Sequence, residues 1–469
     1  MYNLHFNLKY TIMKTTIFKN LLAILSFWVV GCESYIEVET PQSQLTTPAV
    51  FEDIVTADAA ISDIYAHMRE LGMVSGTLGA LSVLSSTYAD EMQFTAANME
   101  ILQFYNHTIV PSNSLITPLW KNTYTEIYAT NLILEGVASS TTLTTEQKDR
   151  LSGEAYFLRA YLHFYLVNLF GDVPYVTSTN YSANAVISKT PAEQVWQKIT
   201  VDLLLAETLL PEAYPTSERV RANKAVVKAF LARVFLYRGE WDNAITKATE
   251  VIDNPAYTWV TNLSSEFLRQ STATILALHP GTPGVNTKDG RTFIFSSGPP
   301  SKPFLSPLFV AAFETGDARR AQWIRTVTGT GGPWYSSYKY KKTGPTGTSE
   351  EYTILFRLAE QHLIRAEAYA HINNIVAAQT DINKIRLRAE LPPTTAVTQE
   401  ELLEAVAKER RFELFTEQGH RWFDLKRTGK ANEVMNAIAP NWESTQVLLP
   451  IPASELLLNS NLLPQNPGY

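Results

Sequence analysis

The chain contains two copies of a spacing that is typical of two antiparallel helices joined by a tight turn. In each copy a small residue and an aromatic residue share one helical face, a turn residue follows, and small residues recur on the second helix. The two copies are Ala232, Phe235, Gly239, Trp241, Ala244, Ala248 and Ala366, Tyr369, Asn373, Ile375, Ala378. Small residues let two helices approach closely, and glycine or asparagine tolerates the left-handed backbone of a tight turn. The spacing matches a tetratricopeptide repeat and predicts a mainly α fold built on helix pairs.

Helical periodicity extends this scaffold, and two long irregular segments interrupt it. We predict helical repeats over about residues 118–254 and 350–418, and irregular insertions over about 75–114 and 255–349. The insertions are rich in Gly, Pro, Ser and Thr, but they also carry many aromatic residues, which disordered segments lack. Loops of this length in a compact protein usually carry function. We therefore expect the insertions to form a functional face on a helical scaffold.

The first 32 residues have the organisation of a bacterial targeting segment. Two lysines precede an apolar run from Leu21 to Val30, about ten residues, which is too short for a bilayer span of about 20. The run ends in a glycine followed by Cys32, the only cysteine of the chain. This ending resembles a lipobox, so we predict a signal peptide over residues 1–31 and, over 32–48, a lipidated Cys32 with an extended tether. The alternative is an ordinary signal peptide with an incidental cysteine.

Residues 408–427, near the C-terminus, mix large aromatic residues with many charges. Thr398 and Glu401 form a capping-box pattern that predicts the start of the helix leading into them, and Gly419 is a predicted helix stop. Arg410 falls on the apolar face of that helix, where a charge must be paired because an isolated buried charge is prohibitive. We interpret these residues as a structural ion-pair cluster. The alternative is a catalytic set of Glu, His and Asp, which ion-pair networks often imitate.

Charge and motif content argue against several classes of function. The chain has a formal net charge of −7 and no Lys/Arg-rich run, whereas a nucleic-acid-binding protein usually presents a basic face. HExxH, GxSxG, P-loop and GxGxxG patterns do not occur where catalysis would need them, and the eight histidines show no metal-ligand spacing. We therefore predict no enzyme activity, no cofactor and no metal site. The alternative is a glycosidase with an unrecognised carboxylate pair, for which Asp90 and Glu91 are the nearest candidates.

Aromatic residues in the two insertions predict a ligand-binding surface. Sugar rings present apolar C–H faces bordered by hydroxyls, so a sugar site combines flat aromatic platforms with Asn, Asp or Arg at its rim. The candidate ligand-binding residues, chosen as representatives of these regions, are Phe94, Asn98, Tyr105, Trp323, Trp334, Tyr335 and Tyr338. The alternative for each aromatic residue is that it pins its loop to the helices, because large aromatic side chains are mostly buried.

Four motifs, in order along the chain, resemble the SusD/RagB family of nutrient-uptake lipoproteins. They are Gly153–Ala160 with Leu169–Pro174, Arg221–Lys224 with Gly239–Trp241, Arg357–Ala368 with Asp381–Arg386, and Lys408–Arg427 with the closing segments Leu448–Pro452 and Gln465–Tyr469. The resemblance covers most of the mature chain. It implies a single domain over residues 49–469, an α-helical scaffold of tetratricopeptide-like pairs with a loop-rich ligand-binding face and few short strands.

The resemblance also implies a function and a location. Members of this family are lipid-anchored, non-enzymatic proteins of the outer-membrane surface that sit as a lid on a SusC-like, TonB-dependent transporter. They hand it oligosaccharides or, in some branches, peptides. For this chain the resemblance implies a cell-surface glycan-binding lipoprotein without a nucleic-acid partner. The alternatives are a peptide-binding lipoprotein of the same type and a tetratricopeptide scaffold without a small ligand. The matched motifs belong to the scaffold, so the resemblance assigns no binding residues.

Overall fold

A computed structural model describes residues 47–469 of the chain, and Val50–Tyr469 forms one compact unit. Cys32 and the predicted signal peptide lie outside the described residues. The α-helices are α1 (Thr47–Val50), α2 (Ile54–Glu70), α3 (Leu81–Tyr88), α4 (Met99–Tyr105), α5 (Ile116–Ser139), α6 (Thr145–Phe170), α7 (Tyr181–Asn184), α8 (Ala192–Leu209), α9 (Lys224–Arg238), α10 (Trp241–Ile252), α11 (Lys288–Phe293), α12 (Pro307–Ala311), α13 (Ala318–Trp323), α14 (Leu358–His371), α15 (Ile375–Arg388), α16 (Gln399–Glu413), α17 (His420–Arg427), α18 (Ala431–Ile438) and α19 (Ala453–Leu458). The strands are β1 (Met92–Gln93), β2 (Thr274–Leu278), β3 (Phe304–Leu305), β4 (Ile324–Gly329), β5 (Gly332–Ser337) and β6 (Thr353–Arg357).

The long helices form a continuous scaffold in which neighbours along the chain pack together. Helix α6 contacts α5 and α8, α9 contacts α10, and α14 contacts α10, α15 and α16. The turns of the two predicted pairs contain Gly239 and Asn373, with φ angles of 73° and 59°, so both adopt the left-handed conformation that the spacing requires. This arrangement confirms the predicted mainly α, tetratricopeptide-like scaffold. Within residues 47–469, no helix has both the length and the apolar character that a membrane span needs.

Helix α6 is the centre of the hydrophobic core. It begins with the capping box of Thr144 and Gln147, and every residue from Phe157 to Phe170 is buried. A helix that is buried on all sides has no polar face, so it must be covered by neighbours all around. Helices α2, α5 and α8 all contact α6 and contribute to this cover.

Two small sheets lie among the helices, as expected for a fold with few short strands. One sheet pairs β2 with β6, and the other has the antiparallel order β1-β3-β5-β4. Regular elements therefore occur inside the segments predicted to be irregular, including α3, α4 and the β4–β5 hairpin. The sequence does not reveal α3 because all eight of its residues are buried, which leaves no amphipathic period to detect.

The helix that leads into residues 408–427 begins as predicted but ends earlier. Both hydrogen bonds of the capping box between Thr398 and Glu401 are present, and α16 runs to Glu413. The prediction that Gly419 ends this helix is wrong, because Gly419 has a φ of 88° and directly precedes α17. The earlier end has a tertiary cause. The Lys339 ammonium and the Arg357 guanidinium both donate to the carbonyl of Glu413, at 2.7 and 2.8 Å.

Buried ion pairs surround the end of α16, which confirms the predicted structural ion-pair cluster. The Glu413 carboxylate contacts the guanidinium groups of Arg357 at 2.6 Å, Arg319 at 3.5 Å and Arg388. Burial alone would raise the pKa of the Glu413 carboxyl, but these three arginines hold it well below its ordinary value. Further pairs of residues 408–427 include Arg410 with Asp424, Arg427 with Glu367, and Arg421 with Asp90.

Candidate functional site

The four-stranded sheet joins the two insertions into one structure. Strand β1 belongs to the first insertion and pairs with β3 of the second, with Met92 opposite Leu305, and Leu305 lies opposite Tyr335 on β5. Because residues directly opposite each other on paired strands project to the same side, Met92, Leu305 and Tyr335 share one face of the sheet. That face packs on a hydrophobic cluster. The opposite face carries Phe304 and Trp334.

Trp334 is the aromatic residue on this opposite face that remains partly open to solvent. Its indole ring lies edge-to-face with Phe304, with ring centroids 4.8 Å apart at 88°. Its indole N–H donates to the carbonyl of Thr330 at 3.3 Å. The backbone of Gly298 lies directly against the ring, since a Cβ on Gly298 would come within 1.9 Å of Trp334 Cδ1. These contacts hold the half-buried ring in one orientation, as a preformed aromatic platform requires.

Tyr335 and Tyr338 flank this platform but do not extend it. Tyr335 points to the opposite face of β5, where it is half-buried with the Arg320 guanidinium 5.2 Å from its ring centroid. Tyr338 follows the strand and is also half-buried, with Lys341 Nζ 5.6 Å from its ring centroid. Trp334 and Tyr335 therefore cannot stack on the same ligand ring.

Two predicted ligand-binding residues, Phe94 and Trp323, are core residues, and their assignment to a ligand surface is wrong. Phe94 is 1% exposed and Trp323 is 0% exposed. The Trp323 indole N–H donates to the carbonyl of Leu263 at 3.0 Å, and the ring packs edge-on against Phe267. A side chain with no exposed ring face cannot stack on a sugar. For these two residues the alternative of pinning an insertion to the core is the one that the structure supports.

Asn98 and Tyr105 lie at opposite ends of the short helix α4. Asn98 is exposed and caps the helix, its side-chain oxygen accepting from the Ile101 N–H at 3.1 Å. Its amide NH₂ group remains the part of the side chain that can donate to a ligand. Tyr105 is half-buried, and burial raises the pKa of its hydroxyl. The two residues are seven positions apart, which is about 10 Å along the helix axis, so they do not form one subsite.

The surface around Trp334 is held to the scaffold by a buried lysine. Lys339 Nζ donates to the carbonyls of Glu413 and Phe415, at 2.7 and 2.8 Å, and to the Glu417 carboxylate. Burial lowers the pKa of Lys339 to about 8, although Glu417 opposes this shift. Lys339 follows Tyr338 in the sequence, and it could contribute to the polar rim of a sugar site only if its ammonium group were exposed. Instead it connects the second insertion to the end of α16.

Two residues that shape the platform were not among the sequence-predicted candidates. Phe304 braces the Trp334 ring, and Gly298 leaves room for it. Gly298 precedes two prolines, and a Gly-Pro-Pro sequence is a turn signal that could have identified this loop. Phe304 has no such signal, because an isolated aromatic residue is compatible with both core and surface positions.

Asp90 and Glu91, the nearest candidates for a catalytic carboxylate pair, are structural. Asp90 pairs with Arg421 at 2.7 Å and with Arg411 at 2.6 Å. Glu91 is 2% exposed, and its carboxylate accepts from the Ser86 hydroxyl at 2.7 Å and the Thr416 N–H at 3.2 Å. Burial raises the pKa of Glu91 to about 7. Both carboxylates are thus engaged with protein groups rather than presented to a substrate.

Comparison with known proteins agrees with this fold. Residues 34–236 match a SusD-like family model described as starch-binding and associating with the outer membrane, and residues 310–469 match the model of the SusD family. The chain is 29% identical to SusD-like protein P2 from Formosa agariphila, over 96% of this chain and 99% of that protein. It is 22% identical to SusD-like protein P25 from the same organism, over 95% and 98% of the two chains.

Solved structures share the architecture over nearly their whole length. A SusD superfamily protein from Bacteroides vulgatus superposes with a TM-score of 0.78 at 20% identity, over 89% of this chain and 99% of that one. A laminarin-binding SusD-like protein superposes with a TM-score of 0.75 at 26% identity, over 88% and 99%. Surface glycan-binding protein A from Bacteroides thetaiotaomicron, in complex with laminarihexaose, has a TM-score of 0.73 at 18% identity, over 87% and 98%. Sequence motifs, fold and relatives all agree, and this chain belongs to the SusD/RagB family.

Proposed function

We propose that this protein is a glycan-binding lipoprotein of the outer-membrane surface that captures an oligosaccharide and delivers it to a TonB-dependent transporter. Family membership supports the proposal, because one solved relative is described as laminarin-binding and another is in complex with laminarihexaose. The observation in this chain that carries the proposal is the half-buried Trp334 ring, braced by Phe304 and Gly298 where the two insertions meet.

The contacts of Trp334 define the role of the ring in binding. Its indole N–H is already used by the carbonyl of Thr330, so the ring contributes stacking rather than a hydrogen bond. An aromatic face matches the apolar C–H face of a sugar. Because Phe304 and Gly298 already fix the ring, binding requires little additional ordering of this side chain, which favours affinity. Polar groups elsewhere on the insertions, such as the exposed Asn98 amide, are available for the sugar hydroxyls.

Affinity electrophoresis of residues 33–469 through gels that contain single polysaccharides, laminarin among them, tests the proposal. We expect one polymer to retard the protein, and we expect Trp334→Ala to abolish the retardation without unfolding the protein. Tyr181→Ala is the matched control, because Tyr181 is 82% exposed on α7, outside both insertions. Equal retardation of Trp334→Ala and the wild type would show that the binding site lies elsewhere on the protein.

A protein that no polysaccharide retards would instead point to one of the alternatives. Binding of a short peptide, detected by calorimetry with a peptide library, would support a peptide-uptake lipoprotein. A Trp334→Ala variant that changes only thermal stability would support a tetratricopeptide scaffold without a small ligand. Recovery of a labelled glycan in shortened form would show catalysis, which the proposal excludes.

The lipid anchor and the transporter are tested separately from the ligand. In the native host we expect Cys32→Ser to prevent lipid attachment and globomycin to leave the signal peptide uncleaved, and we expect each to remove the mature protein from the outer-membrane fraction. We expect the wild-type protein, purified from detergent-solubilised membranes, to bring a SusC-like barrel protein with it. A lipid-free wild-type protein, or one isolated without such a partner, would contradict the corresponding part of the proposal.

A further inference from the structure

The second insertion carries an excess of positive charge, although the chain as a whole is acidic. Residues 255–349 contain ten Lys or Arg residues and four Asp or Glu residues, a formal net charge of +6, whereas the whole chain has a formal net charge of −7. The four carboxylates do not offset this charge at the surface. Glu266, Asp289 and Asp317 are buried, and Glu314 is paired with two cations of the helical scaffold.

Five of these ten cations form ion pairs, and the other five form none with any residue in 47–469. The unpaired cations are Arg291, Lys302, Arg320, Arg325 and Lys341. The first of the two insertions has no Lys or Arg and three carboxylates. Asp90 and Glu91 are engaged with protein groups, and Glu100 is half-buried on α4. The unpaired charge of the second insertion is therefore positive only.

One of the unpaired cations, Arg325, lies beside the Trp334 ring. Val327 is directly opposite Trp334, and Arg325 is two positions before Val327 on β4, so its side chain projects to the same face of the sheet. Diagonal neighbours on paired strands are roughly 7–8 Å apart, which a long side chain spans. The Arg325 side chain is exposed. Its guanidinium is therefore placed to contact a ligand that stacks on Trp334.

The loop that backs the Trp334 ring carries two further cations. Lys302 Nζ donates to the carbonyl of Arg291 at 2.5 Å, which closes the loop that places Gly298 against the ring. Lys302 is also two residues before Phe304, which packs edge-to-face on the ring. Burial and the nearby charge of Arg291 both lower the pKa of Lys302. Positive charge is thus present on both elements that hold the ring, the β4–β5 hairpin and this loop.

Cations beside an aromatic ring select the chemistry of the ligand. Guanidinium and ammonium groups donate hydrogen bonds but do not accept them. The hydroxyls of a neutral sugar both donate and accept, whereas a carboxylate or sulfate group only accepts. Hydrogen bonds between a cation and an anion are also roughly twice as strong as those between neutral groups. Donors without an unpaired carboxylate beside them therefore match an anionic group on the ligand better than a hydroxyl.

We propose that the Trp334 platform binds an acidic glycan, with a sugar ring stacked on the indole and a carboxylate or sulfate group bound by Arg325. The inference rests on the proposed function, which supplies a glycan as the ligand, and it adds the charge of that glycan. Lys302 and Arg291 contribute a positive potential that attracts an anionic polymer from solution. Binding should therefore weaken as salt screens this potential.

Affinity electrophoresis of residues 33–469 in gels of opposite charge tests this inference. The acidic gels contain polygalacturonate, alginate or carrageenan, and the neutral gels contain laminarin, galactan or the carboxyl-reduced form of a uronate polymer that retards the protein. A gel with poly-L-glutamate supplies a polyanion that is not a glycan. We expect one acidic glycan to retard the protein, and we expect its neutral counterpart and poly-L-glutamate not to. Retardation by polygalacturonate or alginate would identify a carboxylate, and retardation by carrageenan a sulfate.

Calorimetry with an oligosaccharide of the retarding polymer measures the contribution of Arg325. We expect Arg325→Gln to weaken binding at least about tenfold, the effect of losing one hydrogen bond between charged groups. Lys198→Gln is the matched control, because it removes the same charge from an exposed side chain on α8, outside both insertions. Wild-type affinity should also fall when NaCl is raised from about 10 mM to about 150 mM, which shortens the Debye length from about 30 Å to about 8 Å.

The outcomes separate this inference from the proposed function. If only a neutral polymer retards the protein, and Trp334→Ala abolishes that retardation, the acidic ligand is wrong and the proposed function stands. Equal affinities of Arg325→Gln and Lys198→Gln overturn the role of Arg325. Retardation by poly-L-glutamate as strong as that by the acidic glycan would show charge attraction without sugar recognition, and would overturn the inference. If no polysaccharide of either charge retards the protein, both proposals fail.

Discussion

The charge cluster around Glu413 and the platform around Trp334 both contain residue types that are common in functional sites, but the environments of their side chains differ. In the cluster, Arg357 donates to Glu413, Glu417 and Glu266, and all four side chains are buried inside the protein, where a ligand cannot reach them. At the platform, the Trp334 N–H is satisfied locally while part of the ring stays uncovered. A residue type alone therefore does not indicate function; what distinguishes the two regions is whether the side chain is covered by the rest of the protein.

The two regions are nevertheless mechanically connected. Glu266 and Arg319 of the cluster come from the second insertion, whereas Arg357, Arg388 and Glu413 come from the helical scaffold. Lys339, in the same insertion as Trp334, adds a further connection to the end of α16. Buried ion pairs often contribute little net stability but are costly to break. We infer that the cluster keeps the second insertion in one position on the helical scaffold.

The largest effect that we expect is on the cluster itself. Glu413→Gln leaves Arg357, Arg319 and Arg388 without their shared counter-charge, so the free energy of unfolding should fall by about 3–5 kcal/mol in urea denaturation. The control is Glu433→Gln. Glu433 forms an exposed ion pair with Lys430, and loss of this pair should leave the denaturation midpoint unchanged. Equal midpoints for the two variants would show that the cluster is not structural.

A second effect concerns a buried carboxyl that lacks an arginine at hydrogen-bond distance. Burial raises the pKa of Glu91 to about 7, above its ordinary value of 4.5. A carboxyl with a raised folded-state pKa stabilises the fold while it is protonated, and this contribution is lost as the pH rises through 7. Between pH 4.5 and 7.5, the free energy of unfolding of the wild type should fall by up to about 3 kcal/mol relative to Glu91→Gln.

Chemical denaturation at a series of pH values measures this difference. Glutamine can still accept from the Ser86 hydroxyl but cannot ionise, so Glu91→Gln isolates the titration from the packing. The comparison with Glu413 is direct, since arginines hold the pKa of Glu413 down, whereas Glu91 accepts from the Ser86 hydroxyl and the Thr416 N–H. Parallel pH profiles for the wild type and Glu91→Gln would refute the raised pKa.

A smaller effect is expected where the two regions are joined. Lys339→Met removes the donors to the carbonyls of Glu413 and Phe415, while Glu417 keeps its bonds to Arg357. We expect a loss of about 2 kcal/mol, faster hydrogen exchange in β5 and weaker glycan retardation. The matched control is Lys342→Met, because Lys342 forms a partly exposed ion pair with Glu350 rather than a buried one. Unchanged exchange in β5 would mean that Lys339 does not restrain the platform.

Among these variants, Gly298→Ala should have the smallest effect on stability, and it should specifically weaken glycan binding. Gly298→Ala would place a methyl group 1.9 Å from Trp334 Cδ1, so the indole must move, at a cost of about 1 kcal/mol. Gly344→Ala is the control, because a Cβ there meets nothing within 4 Å. Affinity electrophoresis should show weaker retardation for Gly298→Ala only. Equal retardation of the two alanine variants would contradict the role of Gly298 in positioning the ring.

Trp323 and Trp334 show how much of the candidate site was predictable. Both belong to the second insertion, yet Trp323 is fully buried and Trp334 is partly open. The difference comes from Leu263 and Phe267, which enclose Trp323, whereas Trp334 is braced on only part of its surface. Their neighbouring residues give no indication of this, because the covering groups lie tens of residues away.

The sequence by itself determined the features that depend on residues a few positions apart. The capping boxes at Thr144 and Thr398 are present, and Gly239 and Asn373 adopt the left-handed turns that the repeat spacing predicts. Such features are local, because a cap or a turn is satisfied by atoms within one helical turn. Together with the periodicity of the long helices they establish the fold class.

Only the tertiary structure decided which polar and aromatic groups have partners. Lys339 follows Tyr338 and precedes Tyr340 in a loop-rich segment, but its ammonium is buried against carbonyls of residues 413 and 415. Phe304 and Gly298 become a brace for Trp334 only when the strands pair and the loop folds back. Burial and hydrogen bonding depend on groups that are distant in the chain, so the partners of these residues are determined by the folded protein as a whole.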